Sequence, residues 1–216
     1  MAWKTGIALT ALAAMALSAI PTAYAQEKET VKIAFIGPLT GGNSATGLGG
    51  RNSAQLAVNL RNADPATKYR YELTPLDDEC RPNVGIQVAT RAATDRSVIG
   101  GVTHYCSAVA IATVDVYHRL QLPVVVWGAI LPAITHGNDF AEVHRVNGSM
   151  LDESEVLVNF LSELGYKKWV VIHDTTDYGS GYLKILQEKL AGKDVEIQAT
   201  FGVGADQQDF SAELLR

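Results

Sequence analysis

Short apolar runs rich in β-branched residues alternate with amphipathic segments from residue 31 almost to the last, and this rhythm constrains the fold more than any other feature. Residues 31–36 (VKIAFI), 69–76, 98–102, 124–127 (VVVW), 169–172 and 195–201 read as strands. Between them lie helix patterns. The first places Leu56, Leu60 and Ala63 on one face with Arg51 and Arg61 exposed, and Asp64-Pro65 ends it. The second, residues 84–94, turns Val84, Val88, Ala89 and Ala92 inward, and Ser107 is placed to cap the third, residues 108–120. Residues 152–164 turn Val156, Leu157, Phe160, Leu161 and Leu164 inward with Gly165 as the stop, and residues 182–190 form one more helix. Strands in alternation with helices imply right-handed βαβ units and parallel sheets covered on both faces. The expected fold class is α/β.

The first residues stand outside that rhythm. Lys4 is followed by an uncharged apolar run over residues 6–20, Pro21 breaks it, and Ala23-Tyr24-Ala25 supplies a small–x–small cleavage site. The run is short for a bilayer-spanning helix, which needs about 20 apolar residues. Residues 1–25 therefore read as a cleaved secretory signal, with a retained anchor as the alternative, and the mature chain starts at Gln26. Export makes a disulfide the default for Cys80 and Cys106, with two buried thiols as the alternative. Closing that loop would contribute roughly 3–4 kcal/mol. At the other end, residues 210–216 open a helical pattern without cap or turn, and the second sheet has room for only about two strands. The sequence reads as the N-terminal piece of something longer.

Several chemistries are excluded or weakened by the residues present. Lys plus Arg number 18 against 23 Asp plus Glu, a net charge of −5, which does not favour a nucleic-acid partner. The glycine-rich loop expected over residues 37–50 fails both GxGxxG and GxxxxGK[ST] and is read instead as lining a cleft at the carboxyl end of a strand. Gly179-Ser180-Gly181 is not a GxSxG elbow. The five histidines are dispersed and no CxxC is present, so no metal or other cofactor is expected. Asp77-Asp78-Glu79 reads as a solvated acidic turn rather than a calcium loop. The informative stretch is Thr103-His104-Tyr105-Cys106-Ser107, where a strand ends and a helix starts. Helix N–H groups, the helix dipole and the Ser107 hydroxyl can together hold an anion, or Ser107 can serve its helix as a cap alone.

Several ordered motifs carry a family resemblance: IGPLTG at residues 36–41, DDEC at 77–80, HYCS at 104–107, WGAILPAIT at 127–135 and IHDTTDYGSGY at 172–182. Nearly all of the mature chain resembles the first half or so of the periplasmic leucine/isoleucine/valine-binding proteins, type I solute-binding proteins that serve ABC importers. The resemblance implies a type I periplasmic-binding-protein fold of two Rossmann-like lobes, with residues 26–142 in the first and residues 143–216 forming part of the second. The segments that return to complete both lobes, and the acidic residue that usually pairs with a ligand ammonium, would follow Arg216. It implies a Cys80–Cys106 bridge, a ligand carboxylate held at Ser107 and a ligand ammonium at the Gly128 carbonyl. Ile130 occupies a position that is usually Thr, Thr46 replaces the usual aromatic of the first loop, and Tyr178 matches the aromatic laid over the ligand by the second lobe. Tyr105 and Trp127 flank the same strand ends.

The expectation is a periplasmic, monomeric binding protein, not an enzyme. It would close about a hinge between residues 139 and 148 over a small hydrophobic carboxylate and present it to an inner-membrane ABC permease. The retained carboxylate side and altered ammonium side put aromatic acids slightly ahead of branched-chain amino acids. The competing classes are an exported α/β enzyme acting on a small carboxylate and a ligand-sensing receptor ectodomain.

Overall fold

The computed structural model describes residues 28–215, so the signal segment and its cleavage site lie outside the described residues. Strands β1 (Thr30–Gly37), β2 (Arg70–Asp77), β3 (Val98–Thr103), β4 (Val124–Val126) and β5 (Val143–Arg145) form one sheet in the order β2-β1-β3-β4-β5. Every pairing in it is parallel. The crossovers are α1 (Ser44–Ala63), α2 (Pro82–Thr94) and α3 (Ser107–Leu120). After β5 come α4 (Met150–Glu163), β6 (Lys168–Asp174), α5 (Asp177–Leu190), β7 (Glu196–Val203) and the short α6 (Ser211–Leu214). Strands β6 and β7 pair in parallel as a second sheet. The interior strand β1 contributes Ala34, Phe35 and Ile36, each 0% exposed, as expected of a strand covered on both faces.

Three helices differ from the sequence reading, two in the face they bury and one in its cap. The helix after β1 starts at Ser44, so much of the expected glycine loop is its first two turns. Leu56 and Leu60 are 59% and 65% exposed, and Ala63 is exposed as well. The inward stripe is instead Gly47, Gly50, Ala54 and Val58, at helical spacing. Small residues let the helix approach closely: a Cβ on Gly47 would strike the Pro38 carbonyl, and one on Gly50 would stand 3.0 Å from the Trp127 ring. Hydrophobic weight alone selected the leucines. The same happens in α4, where Val156, Phe160 and Leu164 are exposed, while Met150, Ser154 and Val158 are buried and Leu157 and Leu161 are half-buried. Ser149 caps α4 in a capping box with Asp152, which starts the helix two residues early and fixes which face turns inward.

The third difference is at α3. Cys106 is its N-cap and no side chain caps it, so Ser107 is the first helical residue rather than a cap. The α2 face follows the expectation, with Ala89 and Ala92 buried and Val84 and Val88 half-buried. The main core gathers under the first sheet and takes in Met150 and Ile185 from α4 and α5, while Val158, Trp169, Leu186 and Leu190 form a second cluster.

Candidate functional site

The chain turns sharply where β3 ends. His104 has φ 56°, in the left-handed region, and redirects the backbone so that Tyr105, Cys106 and Ser107 follow at the carboxyl edge of the sheet. A Cys80–Cys106 disulfide, with Cα atoms 5.5 Å apart, ties this edge to the loop after β2. Ser107 is 3% exposed at the start of α3. The amides of Val109 and Ala110 return to the Cys106 carbonyl, which leaves those of Ser107 and Ala108 outside the helix's own bonding. Two such amides, the positive end of the helix and a hydroxyl are the groups that an anion site at a helix start requires.

The acidic turn beside the disulfide corrects an expectation, because it is solvated at Glu79 but not at Asp78. Asp78 is 0% exposed and its carboxylate is taken up by the His104 ring at 2.9 Å and the Cys80 amide at 3.0 Å. Asp77 binds the neighbouring loop, accepting from the Leu39 amide at 2.8 Å and the Thr40 hydroxyl at 2.5 Å. Burial would raise the Asp77 pKa, but the Thr40 hydroxyl and the amides of Glu79, Leu39 and Thr40 outweigh it and hold the carboxyl below its usual range.

After β4, Trp127 lies between two rings, 5.8 Å from Phe35 and 5.6 Å from Tyr105, both stacked. A Cβ on Gly128 would stand 2.7 Å from the Tyr105 ring, so the close pass of this turn under Tyr105 requires glycine. Ile130 is half-buried against the main core, and its carbonyl accepts from the Met150 amide at 2.8 Å and from Arg145 at 3.2 Å. Arg145 continues along the turn to the Leu131 carbonyl at 2.9 Å and the Thr135 hydroxyl at 3.0 Å, and Asn147 reaches the Ala129 carbonyl at 3.1 Å. Burial lowers the Arg145 pKa and the Asp152 charge opposes it. Sequence reasoning passed over both Arg145 and Asn147, since side chains that serve distant carbonyls leave no local pattern.

Tyr178 comes from the first turn of α5, 41% exposed. Burial raises its pKa, and so do Glu153, Tyr105 and Asp174, which puts a residue of the second βαβ unit within electrostatic range of the first sheet's edge. Tyr182, 6.2 Å away ring to ring, is pushed up to about 12 by burial first, then by Glu153 and Tyr178. Ile130, Gly148, Ser149, Asp152, Glu153 and Val156 line a groove of about 400 Å³. Glu153 is a further residue missed from sequence, where it reads only as an acid suited to a helix start. Thr46 is exposed on the first turn of α1, one helical turn before the Gly50 that packs on Trp127. Ser107, Tyr105, Gly128 and Ile130 thus share one edge, Tyr178 comes from the facing unit, and Thr46 stands at the rim.

A parallel sheet with this strand order, followed by a second βαβ unit, is the architecture of a type I periplasmic binding protein. The chain belongs to the periplasmic binding protein family, whose sequence profile matches residues 30–216. It is 26% identical over 204 residues to the leucine-, isoleucine-, valine-, threonine- and alanine-binding protein of Pseudomonas aeruginosa, covering 93% of this chain and 53% of that one. The branched-chain amino acid transporter substrate binding protein of Streptococcus pneumoniae, solved with isoleucine, is 26% identical with a TM-score of 0.76, over 87% of this chain and 53% of that one. A Rhodopseudomonas palustris ABC-transporter solute binding protein, solved with benzoate, shares the fold at a TM-score of 0.79 and 17% identity, over 86% of this chain and 51% of that one. The chain spans about half the length of the relatives it matches.

Proposed function

We propose that the protein is the substrate-binding component of an ABC importer, taking up a small hydrophobic carboxylate and carrying it to an inner-membrane permease. The observation that carries this reading is the buried start of α3, where Ser107 and two amides outside the helix's own bonding follow Tyr105, the ring under which Gly128 passes. The ligand carboxylate sits at Ser107, the Gly128 carbonyl takes an ammonium where there is one, and Tyr178 closes from the other side. The groove beside Ile130 receives the side chain or ring. The first lobe extends past the expected boundary at residue 142 to take in β5, which pairs with β4 in the first sheet. The chain after β5 contributes to the second lobe and residues 146–148 make the hinge; closure buries the ligand and creates the shape that the permease reads. The protein works as a monomer in the periplasm, exported by residues 1–25, without a cofactor and without chemical turnover.

Branched-chain amino acids are favoured by the relatives named for them and by the Glu153 carboxylate lining the groove. Aromatic acids are favoured by the Phe35–Trp127–Tyr105 stack and by Ile130, which lacks a hydroxyl for an ammonium. We place aromatic acids slightly ahead. Calorimetric titration of the mature protein with leucine, valine, benzoate and a cinnamate-type acid tests this. Tight leucine binding with no response to the aromatic acids reverses the order, and no response to any of the four overturns the carboxylate reading.

A further inference from the structure

We infer that His104 is the positioning residue of the cleft, fixing the Ser107 helix start and the Gly128 turn in one register, an inference that rests on the ligand-binding reading above. Its main chain already joins three strands. The His104 amide donates to the Ile36 carbonyl of β1 at 2.8 Å, and its carbonyl accepts from the amides of Gly128 and Ala129, each at 3.2 Å. The disulfide anchors Cys106 to Cys80 but none of these bonds to the turn after β4. His104 is therefore the residue at which the α3 start and the Gly128 turn meet.

The ring holds that backbone in place. Nδ1 lies 2.9 Å from an Asp78 carboxylate oxygen, and Nε2 lies 2.7 Å from the Tyr117 hydroxyl and 2.9 Å from that of Thr113. Asp78, His104 and Thr113 are 0% exposed and Tyr117 is 1% exposed. The Asp78 carboxylate accepts from Nδ1–H, and the hydroxyls of Tyr117 and Thr113 can each donate or accept at Nε2. Thr113 also lies within reach of the helix carbonyls of Val109 at 2.9 Å and Ala110 at 3.0 Å. A histidine backbone seldom rests in the left-handed region unaided, and this buried network supplies the restraint that keeps φ at 56°. Released, the residue would swing its carbonyl away from Gly128 and Ala129 while the disulfide kept Cys106 in place.

Amide hydrogen exchange on the full chain reads this directly, beside calorimetry with leucine and with benzoate. In His104→Leu, and in Tyr117→Phe, which leaves His104 itself unaltered, the Gly128 and Ala129 amides should exchange about tenfold faster relative to the β1–β3 ladder. His104→Asn, whose amide can replace Nδ1–H and whose backbone tolerates this region, should stay within about threefold. Affinity for whichever probe binds should fall about tenfold or more in His104→Leu and recover in His104→Asn. Acceleration shared evenly by the ladder, or unchanged exchange at Gly128 and Ala129, would overturn the inference and leave His104 a core residue. Should His104→Leu fail to fold, Tyr117→Phe decides. If the unsubstituted protein binds neither probe, the ligand reading falls, while the exchange result still settles the role of His104.

Discussion

At the scale of single residues, Ser107 and Tyr182 give the most direct tests. If Ser107 holds the ligand carboxylate as proposed, Ser107→Ala removes a hydrogen bond to a charged group, which costs roughly 1.5–3 kcal/mol, or about 10- to 150-fold in affinity. Because Cys106 is the α3 N-cap, no cap is lost with it. The melting temperature should move by the equivalent of about 1 kcal/mol or less. Calorimetry and a thermal melt separate these, and unchanged affinity with a collapsed melt would deny Ser107 its role. Tyr182 has its pKa raised from an ordinary 10 to about 12 by burial and by the Glu153 and Tyr178 charges. A raised folded-state pKa gives stability that is full below pH 10 and lost as pH climbs towards about 12. Tyrosinate absorbance should therefore show a late-titrating tyrosine, and Glu153→Gln should bring it forward; identical titration in the two proteins would remove the Glu153 contribution.

At the scale of elements, α4 shows how a helix face is chosen. Met150 is 0% exposed in the main core, whereas Phe160 on the same helix is 57% exposed. Met150→Ala should cost about 2–5 kcal/mol and Phe160→Ser within about 0.5 kcal/mol, as read by denaturant unfolding. Equal losses would restore the face expected from hydrophobic weight. The strands other than β5, and their parallel order, were legible because β-branched runs such as VKIAFI report burial on both sides. The three residues of β5 were read as part of the crossing between lobes, being too short to show a pattern. The site's edge was legible through HYCS, where a strand end, a cysteine and a helix start adjoin. The inward faces of α1 and α4 were not. Gly47 and Gly50 pack by what they lack, and the Ser149–Asp152 box sets the phase of α4 without contributing apolar surface. His104, Arg145 and Asn147 were equally hidden, since each acts on partners that are close only after the strands have paired.

At the scale of the molecule, the Cys80–Cys106 bridge joins two crossover loops 26 residues apart in sequence. Its reduction should cost about 3–4 kcal/mol. Native mass before and after alkylation should show no free thiol until a reductant is added, and melts of the oxidised and reduced protein should differ accordingly. Two alkylated cysteines in the unreduced protein would contradict the bridge. The three-ring stack carries a further, optical consequence. Trp127 is wedged between Phe35 and Tyr105 beside the cleft, whereas Trp169 is 8% exposed in the separate cluster of the second sheet. If the cleft binds ligand as proposed, Trp127 is placed to sense its occupancy and Trp169 to serve as an internal standard. Ligand should change the intensity or colour of Trp127 emission, Trp127→Phe should abolish the change, and Trp169→Phe should leave it intact, so that the fold reports its own state in light without any attached dye.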